Sequence, residues 1–253
     1  MASLTLSPEI ACMAAFRTAV PFGNGPSDTA DRLCAIGRYR GLARGQELRA
    51  DPEEDRLVFI AEGCAKLAAK SSCASAGQAC SSTTNTHILA FHFPGEIVSV
   101  LRRSDGDFRL VALVDLDLVA FPSIEFLDIA QDDPVVLRSV LSRSLEALHR
   151  SRTKMMRLGH KSARQRIADF LVSMAERLEG RTAGACEFAL PMSRRDIGDS
   201  LGLKIETVSR QFTELREAGL IETEGRSHVR LTDIAALAEE AGRTPIREKP
   251  PQN

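Results

Sequence analysis

No apolar run in this chain approaches the roughly 18 to 20 residues that cross a bilayer. The stretch Met1 to Val20 has no basic start followed by an apolar segment, so it does not read as a secretory signal. The expected compartment is the cytoplasm, with no membrane partner. Cysteine is scarce and scattered: Cys12, Cys34, Cys64, Cys73, Cys80 and Cys186 are six in 253 residues, which suits free thiols in a reducing compartment better than a disulfide scaffold. No pair has the Cys-x-x-Cys spacing, which excludes zinc ribbons, dithiol redox motifs and common iron–sulfur patterns. Nucleophile–base pairs, phosphate-cradling glycine loops and metal-ligand spacings are missing too. The chain is not expected to be an enzyme.

What is present is an ordinary globular composition, 43% hydrophobic and 26% charged, with a formal net charge of −1. That balance hides an asymmetry. Residues 1–149 carry more acid than base, and residues 150–253 more base than acid, so a polyanion would bind the second part.

The hydrophobic period divides the chain. Up to about residue 50, short helical stretches alternate with Gly and Pro turns around Pro21 to Pro26. From Leu57 the pattern becomes strand-like: Leu57–Ile60 closed by Glu62-Gly63, Cys64–Leu67, His87–Phe93 closed by Pro94-Gly95-Glu96, and Leu110 to Phe121. Ser71 to Thr86 is low-complexity and reads as a hairpin tip with almost nothing to bury. Short strands punctuated by glycines indicate a small barrel or jelly roll. Pro134 then opens a long helix whose apolar stripe is Val136/Leu137, Val140/Leu141, Leu145, Leu148 and Met155, running to Leu158 before Gly159 interrupts it. Such a stripe packs either on its own barrel or on a second copy. The seven-residue spacing of Leu141, Leu148 and Met155 favours a dimer seam. A second amphipathic helix, Ser162 to Leu178, buries Ile167, Phe170/Leu171, Met174 and Leu178.

Met192 to Leu231 carries the chemistry. Ser193 followed by Asp196 is a capping box, and Ile197 and Leu201 form the buried face of a short helix. Gly202 permits a left-handed turn. Lys204 to Ala218 is the next helix, with Val208, Phe212 and Leu215 inward. Two short helices across a glycine turn form a helix-turn-helix, whose second helix enters the major groove of double-stranded DNA. Its outer face offers Glu206, Ser209 and Arg210, groups that read base edges. Lys204, Thr207 and Thr213 flank them as backbone contacts. Gly219–Thr223 and His228–Leu231 read as a β-wing that brings Arg226 and Arg230 to phosphates.

The run Arg195-Asp196-Ile197-Gly198-Asp199-Ser200-Leu201-Gly202-Leu203-Lys204-Ile205-Glu206-Thr207-Val208-Ser209-Arg210 closely resembles the reading motif of the CRP/FNR superfamily of bacterial regulators. The resemblance extends more weakly over nearly the whole chain, through Phe59–Gly63, Phe93–Glu96 and the long helix. It implies an α+β fold: an N-terminal β-roll (a jelly roll of the cyclic-nucleotide-binding type) over 1–133, a dimerisation helix over 134–160 and a winged helix-turn-helix over 161–240; the remainder, 241–253, with its prolines and mixed charge, reads as a disordered tail. Glu206, Ser209 and Arg210 fill the Glu-x-x-Ser-Arg pattern of the FNR and FixK branch. The branch implies a homodimer on a palindrome with TTGAT- or TTGAC-like half-sites, RNA polymerase as downstream partner, and activation rather than repression. Two departures bear on cofactors. Cys12 and Cys34 lack the close spacing of the cysteines that hold the family's [4Fe–4S] cluster. Arg109 is followed by Leu110 where the cyclic-AMP pocket has Arg-Ser or Arg-Thr. Neither group is expected, and no other cofactor is.

Three thiols remain redox candidates: Cys73 and Cys80 on the polar loop, and Cys186 just ahead of the helix-turn-helix. Cys64 reads as core. His87 and His92, five apart on one strand, are expected on opposite faces, which argues against a shared metal or haem. The alternative function is a small-molecule-binding or redox-sensing module whose C-terminal domain mediates protein interaction; Glu206, Ser209 and Arg210 argue against it.

Overall fold

The computed structural model describes residues 7–23, 28–49, 51, 53–70, 86–100 and 107–243. The chain divides into two compact units, Met1–Arg152 and Thr153–Asn253.

In the first unit, helices α1 (Pro8–Ala19) and α2 (Asp28–Ile36) precede strands β1 (Arg38–Leu42), β2 (Glu47–Arg49), β3 (Arg56–Glu62), β4 (Ala65–Lys70), β5 (Thr86–His92), β6 (Ile97–Val100), β7 (Asp107–Ala112) and β8 (Leu116–Pro122). They form two four-stranded antiparallel sheets, ordered β1-β8-β3-β6 and β2-β7-β4-β5. This is the expected β-roll. β1 and β2 stand where helices and turns alone were expected, because five and three residues are too few for their alternation, Arg38-Tyr39-Arg40 and Glu47-Leu48-Arg49, to stand out as a strand period. The run Leu110 to Phe121 is two strands broken at Leu113–Asp115.

Leu57–Ile60 and Leu118–Phe121 are continuous apolar runs rather than alternating ones because their sheet is covered on both faces. Val58, Ile60, Leu118 and Ala120 enter one core with Ala65, Leu110 and Ala112. Phe59, Val119 and Phe121 enter the other, against α1, α2 and α3 (Ser123–Ala130). There Phe16 lies 4.8 Å from Phe121 and 5.4 Å from Phe59, ring centre to ring centre.

Helix α4 (Pro134–His160) is 27 residues long, about 40 Å at 1.5 Å per residue. The buried Asp133 starts it: one carboxylate oxygen accepts from the Val135 N–H at 3.0 Å and the other from the Gly23 N–H at 2.9 Å. Pro134, which has no N–H to satisfy, follows at the first helical position. Arg143 fastens the same helix to the roll, donating to the carbonyls of Gly95 at 2.5 Å and Ala19 at 2.8 Å. The expected stripe splits. Val136 and Val140 are buried in the aromatic core, while Leu137, Leu141, Leu145, Leu148 and Met155 are exposed. Gly159 does not interrupt the helix, which runs on to His160; a lone glycine costs about 1 kcal/mol of helix stability and is no stop by itself.

The second unit contains α5 (Ala163–Leu178), β9 (Cys186–Ala189), α6 (Arg194–Leu201), α7 (Ile205–Glu217), β10 (Ile221–Glu224), β11 (His228–Leu231) and α8 (Ile234–Glu240). Ser162 and Gln165 form a capping box at the start of α5. The wing has a third strand, since β9 pairs with β11 in the order β10-β11-β9. Residues 241–243, placed in the tail by the sequence reading, are packed on the unit. Ala241 is fully buried, and Arg243 donates to Asp169 at 2.7 Å, to Glu176 at 2.6 Å and to the Ser173 hydroxyl at 2.6 Å. Residues 244–253 lie outside the described residues.

Candidate nucleic-acid interface

Ser193 and Asp196 form the expected capping box: the Asp196 N–H donates to Ser193 Oγ at 3.2 Å, and the Ser193 N–H donates to the Asp196 carboxylate at 2.9 Å. Helix α6 closes at Gly202, which has φ 65° and ψ 38°, a left-handed conformation that glycine adopts without a Cβ penalty. The Leu203 N–H then donates to the carbonyl of Gly198 at 2.9 Å. A Cβ built on Gly198 would stand 2.5 Å from the Leu203 carbonyl oxygen. The α6 backbone and the turn are therefore in direct contact, and only a hydrogen fits between them.

This turn delivers α7, whose Val208, Gln211, Phe212 and Leu215 are buried. Gln211 was not foreseen as a core residue; its Oε1 is buried without a hydrogen-bond partner among the described residues. Glu206, Ser209 and Arg210 are all exposed, and the spacing i, i+3, i+4 puts them on one face. Ser209 Oγ donates to the Ile205 carbonyl at 3.0 Å, and Arg210 lies 3.7 Å from Glu214 with two thirds of its side chain in solvent. Such a solvated contact holds a guanidinium weakly, so Arg210 is free to turn toward a ligand. Thr213 is half-buried and donates to the Ser209 carbonyl at 3.3 Å. Thr207 is half-buried, and Lys204 is exposed at the helix N-cap.

On the wing, Arg226 is exposed at the β10–β11 turn. Arg230 is paired with Glu222 at 3.0 Å, its cross-strand neighbour. Sequence reasoning missed Arg194, whose guanidinium lies 3.1 Å from the centre of the Phe212 ring. Burial pushes it down to about 10. The only signal was its place directly after the capping serine. Gly198 was missed as well, although a glycine inside a capped helix marks a close backbone approach.

The candidate thiols divide. Cys186 is buried on β9, and burial, with Glu179 adding to it, pushes the thiol up from its ordinary value. Cys64 is buried, as expected. Cys73 and Cys80 lie outside the described residues. Cys12 is buried in α1, where burial together with Asp117 and Glu62 raises it to about 11. Among the described residues no three His, Cys, Asp or Glu side chains gather as a metal site.

On the roll, the expectation that His87 and His92 face opposite ways fails. A bulge in β5 shifts the register between Leu67 and Ala68, so His92 pairs with Ala65 and His87 with Ala69. Partners across an antiparallel pair share a face, and Ala65 and Ala69 share one, so both histidines do. They remain four strand positions apart, about 13 Å. His92 Nδ1 lies 2.9 Å from Glu96. Arg109 pairs with Glu47 at 3.1 Å across β2–β7. Its neighbour Leu110 is fully buried inside the roll, which puts Arg109 on the outer face.

Residues 165–240 match the family described as the Crp-like helix-turn-helix domain. The chain is similar to the transcriptional activator protein FnrL of Cereibacter sphaeroides, 38% identical over 153 residues, 59% of this chain and 62% of that protein. The chain thus spans less than two thirds of that relative. It is also similar to the nitrogen fixation regulation protein FixK of Azorhizobium caulinodans, 30% identical over 207 residues, 81% of this chain and 79% of that one. Among solved structures, FixK2 from Bradyrhizobium japonicum superposes with a TM-score of 0.65 at 27% identity, covering 81% of this chain and 96% of that one.

Substituting Gly198→Ala is expected to cost about 1–3 kcal/mol, the range for forcing extra atoms into a packed site. Thermal melting of the C-terminal unit reads the loss; a neutral substitution would contradict the close contact with Leu203.

Proposed function

The chain belongs to the CRP/FNR family of transcription regulators, and on that premise we propose that it works as a homodimer that reads a palindrome through α7. Each subunit lays α7 in one major groove. Arg210 forms a two-pronged hydrogen bond to a guanine, Glu206 accepts from a cytosine amino group, and Ser209 meets an adjoining base. The half-sites are of the TTGAT or TTGAC type, about one helical turn apart. Lys204, Thr207, Thr213, Arg226 and Arg230 hold the sugar–phosphate backbone. RNA polymerase is the downstream partner, and activation the main outcome.

One observation carries this reading: Glu206, Ser209 and Arg210 are exposed together on a helix whose opposite face is buried. The dimer rests on α4. Leu137, Leu141, Leu145, Leu148 and Met155 lie within about 80° of one another around a helix of 3.6 residues per turn, and all are exposed in the single chain. A repeating apolar seam of this kind is covered by a second helix.

The same reading assigns neither a [4Fe–4S] cluster nor cyclic AMP. The cluster is left out because Cys12 and Cys34 lack the close spacing of its cysteine ligands. Cyclic AMP is left out because Arg109 is followed by Leu110, which lacks the hydroxyl of an Arg-Ser or Arg-Thr pair.

Replacing Arg210→Ala is expected to cost about 1–3 kcal/mol in operator binding and to relax preference at one guanine. Titrations on a panel of single-base operator variants check this. Equal loss on every duplex would make Arg210 a phosphate contact, and no loss would favour the protein-interaction alternative. Leu148→Glu is expected to give monomers in sedimentation with collapsed operator affinity. An intact dimer would contradict the seam.

A further inference from the structure

We propose that Arg166 and Lys154 are positioning residues: two cations from neighbouring helices that clamp the C-terminal end of α6 and so set the angle at which α7 meets DNA. The proposal rests on the DNA-binding reading above and adds residues that touch no base.

The last carbonyls of a helix have no partner within it and carry the negative end of its dipole, which a nearby cation stabilises. Helix α6 has no basic residue in its own last turn. Both cations come from elsewhere. Arg166, on α5, donates from Nη1 to the carbonyl of Leu201 at 3.2 Å and from Nε to the carbonyl of Lys161 at 3.0 Å. One guanidinium therefore bridges the loop that follows α4 and the last residue of α6. Lys154, in the final turns of α4, donates from Nζ to Ser200 Oγ at 3.4 Å, and Ser200 is itself buried. The two contacts converge on adjacent residues.

Immediately after them comes the turn. Gly202 separates Leu201 from Leu203, and α7 begins at Ile205. A Cβ on Gly202 would have Arg166 Nη1 as its nearest neighbour, at 4.0 Å. A shift of the Leu201 carbonyl is passed through three residues to Ile205 and Glu206, the first of the reading side chains. The carbonyl of Gly198 is already engaged by the turn, so Leu201 is the outer edge that the clamp can hold. Burial draws the Lys154 ammonium down to about 8, the signature of an amine withdrawn from water rather than one on a solvated face. Positioning of this kind acts on base contacts, which need the helix at one angle, and leaves phosphate attraction nearly untouched.

The test compares full-length wild type with Arg166→Met, Lys154→Met, Ser200→Ala and Lys154→Arg. Each is titrated by fluorescence anisotropy against a TTGAT palindrome and a scrambled duplex of equal length at one salt concentration. Arg166→Met is expected to lower the ratio of specific to scrambled affinity about tenfold, the size of one mismatched base pair, with scrambled binding changed less than about twofold. Lys154→Met and Ser200→Ala are expected to move the ratio the same way by less, and Lys154→Arg to restore it. Both duplexes weakening by one common factor would make these residues merely structural and overturn the clamp. So would correctly folded variants that keep the full ratio. If Arg166→Met does not fold, Ser200→Ala and the Lys154 pair decide the question on the same ratio. A wild type that does not prefer the palindrome overturns the DNA-binding reading itself, which separates that failure from failure of the clamp.

Discussion

The contact between Gly198 and Leu203 is the constraint on which the rest of the second unit depends. The Leu203 N–H reaches the Gly198 carbonyl at 2.9 Å, and the Leu203 carbonyl leaves no room for a Cβ at Gly198. With the turn pressed onto α6, the left-handed Gly202 sends the chain into α7 in a single direction. Val208, Phe212 and Leu215 then fall inward, which forces Glu206, Ser209 and Arg210 outward. The proposed reading face is thus a consequence of packing on the other side of the same helix.

Helix α4 obeys a comparable logic. Asp133 fixes its start, Arg143 fixes its side to the carbonyls of Gly95 and Ala19, and Val136 and Val140 are taken into the aromatic core. Once those groups are committed to the roll, helical periodicity leaves Leu137, Leu141, Leu145 and Leu148 on the outside. A run of exposed leucines marks an interaction surface, and the proposed dimer gives it a use. Arg143 also joins this helix to the Pro94-Gly95-Glu96 turn, where Glu96 meets His92.

Much of the interface was legible in sequence because it is written locally. The Ser193–Asp196 capping box, the Gly202 turn and the inward set Val208, Phe212 and Leu215 each depend on residues within a few positions of one another. The β-roll was legible as strands, but β1 and β2 were not, since five and three residues are too short for their alternation to stand out. What escaped was set by partners distant in sequence. The bulge in β5 reverses the face of His87 relative to His92, and nothing within the strand announces it. The engagement of Arg230 by Glu222 follows from hairpin register. The roles of Arg166 and Lys154 depend on α4 and α5 returning to the end of α6. Gly159 misled because a glycine in a helix lowers stability without ending the helix, and Arg243 because its acidic partners lie on α5.

The most direct measurement of the central claim is selection of bound duplexes from a random DNA pool by the full-length protein, in parallel reduced and oxidised preparations. A TTGA-containing palindrome is expected to be enriched, with half-sites about one helical turn apart. Equal enrichment in both preparations leaves Cys73, Cys80 and Cys186 incidental, and enrichment only when reduced brings them into the mechanism. A pool that stays random, or a site without two-fold symmetry, would contradict a dimer that reads DNA through Glu206, Ser209 and Arg210.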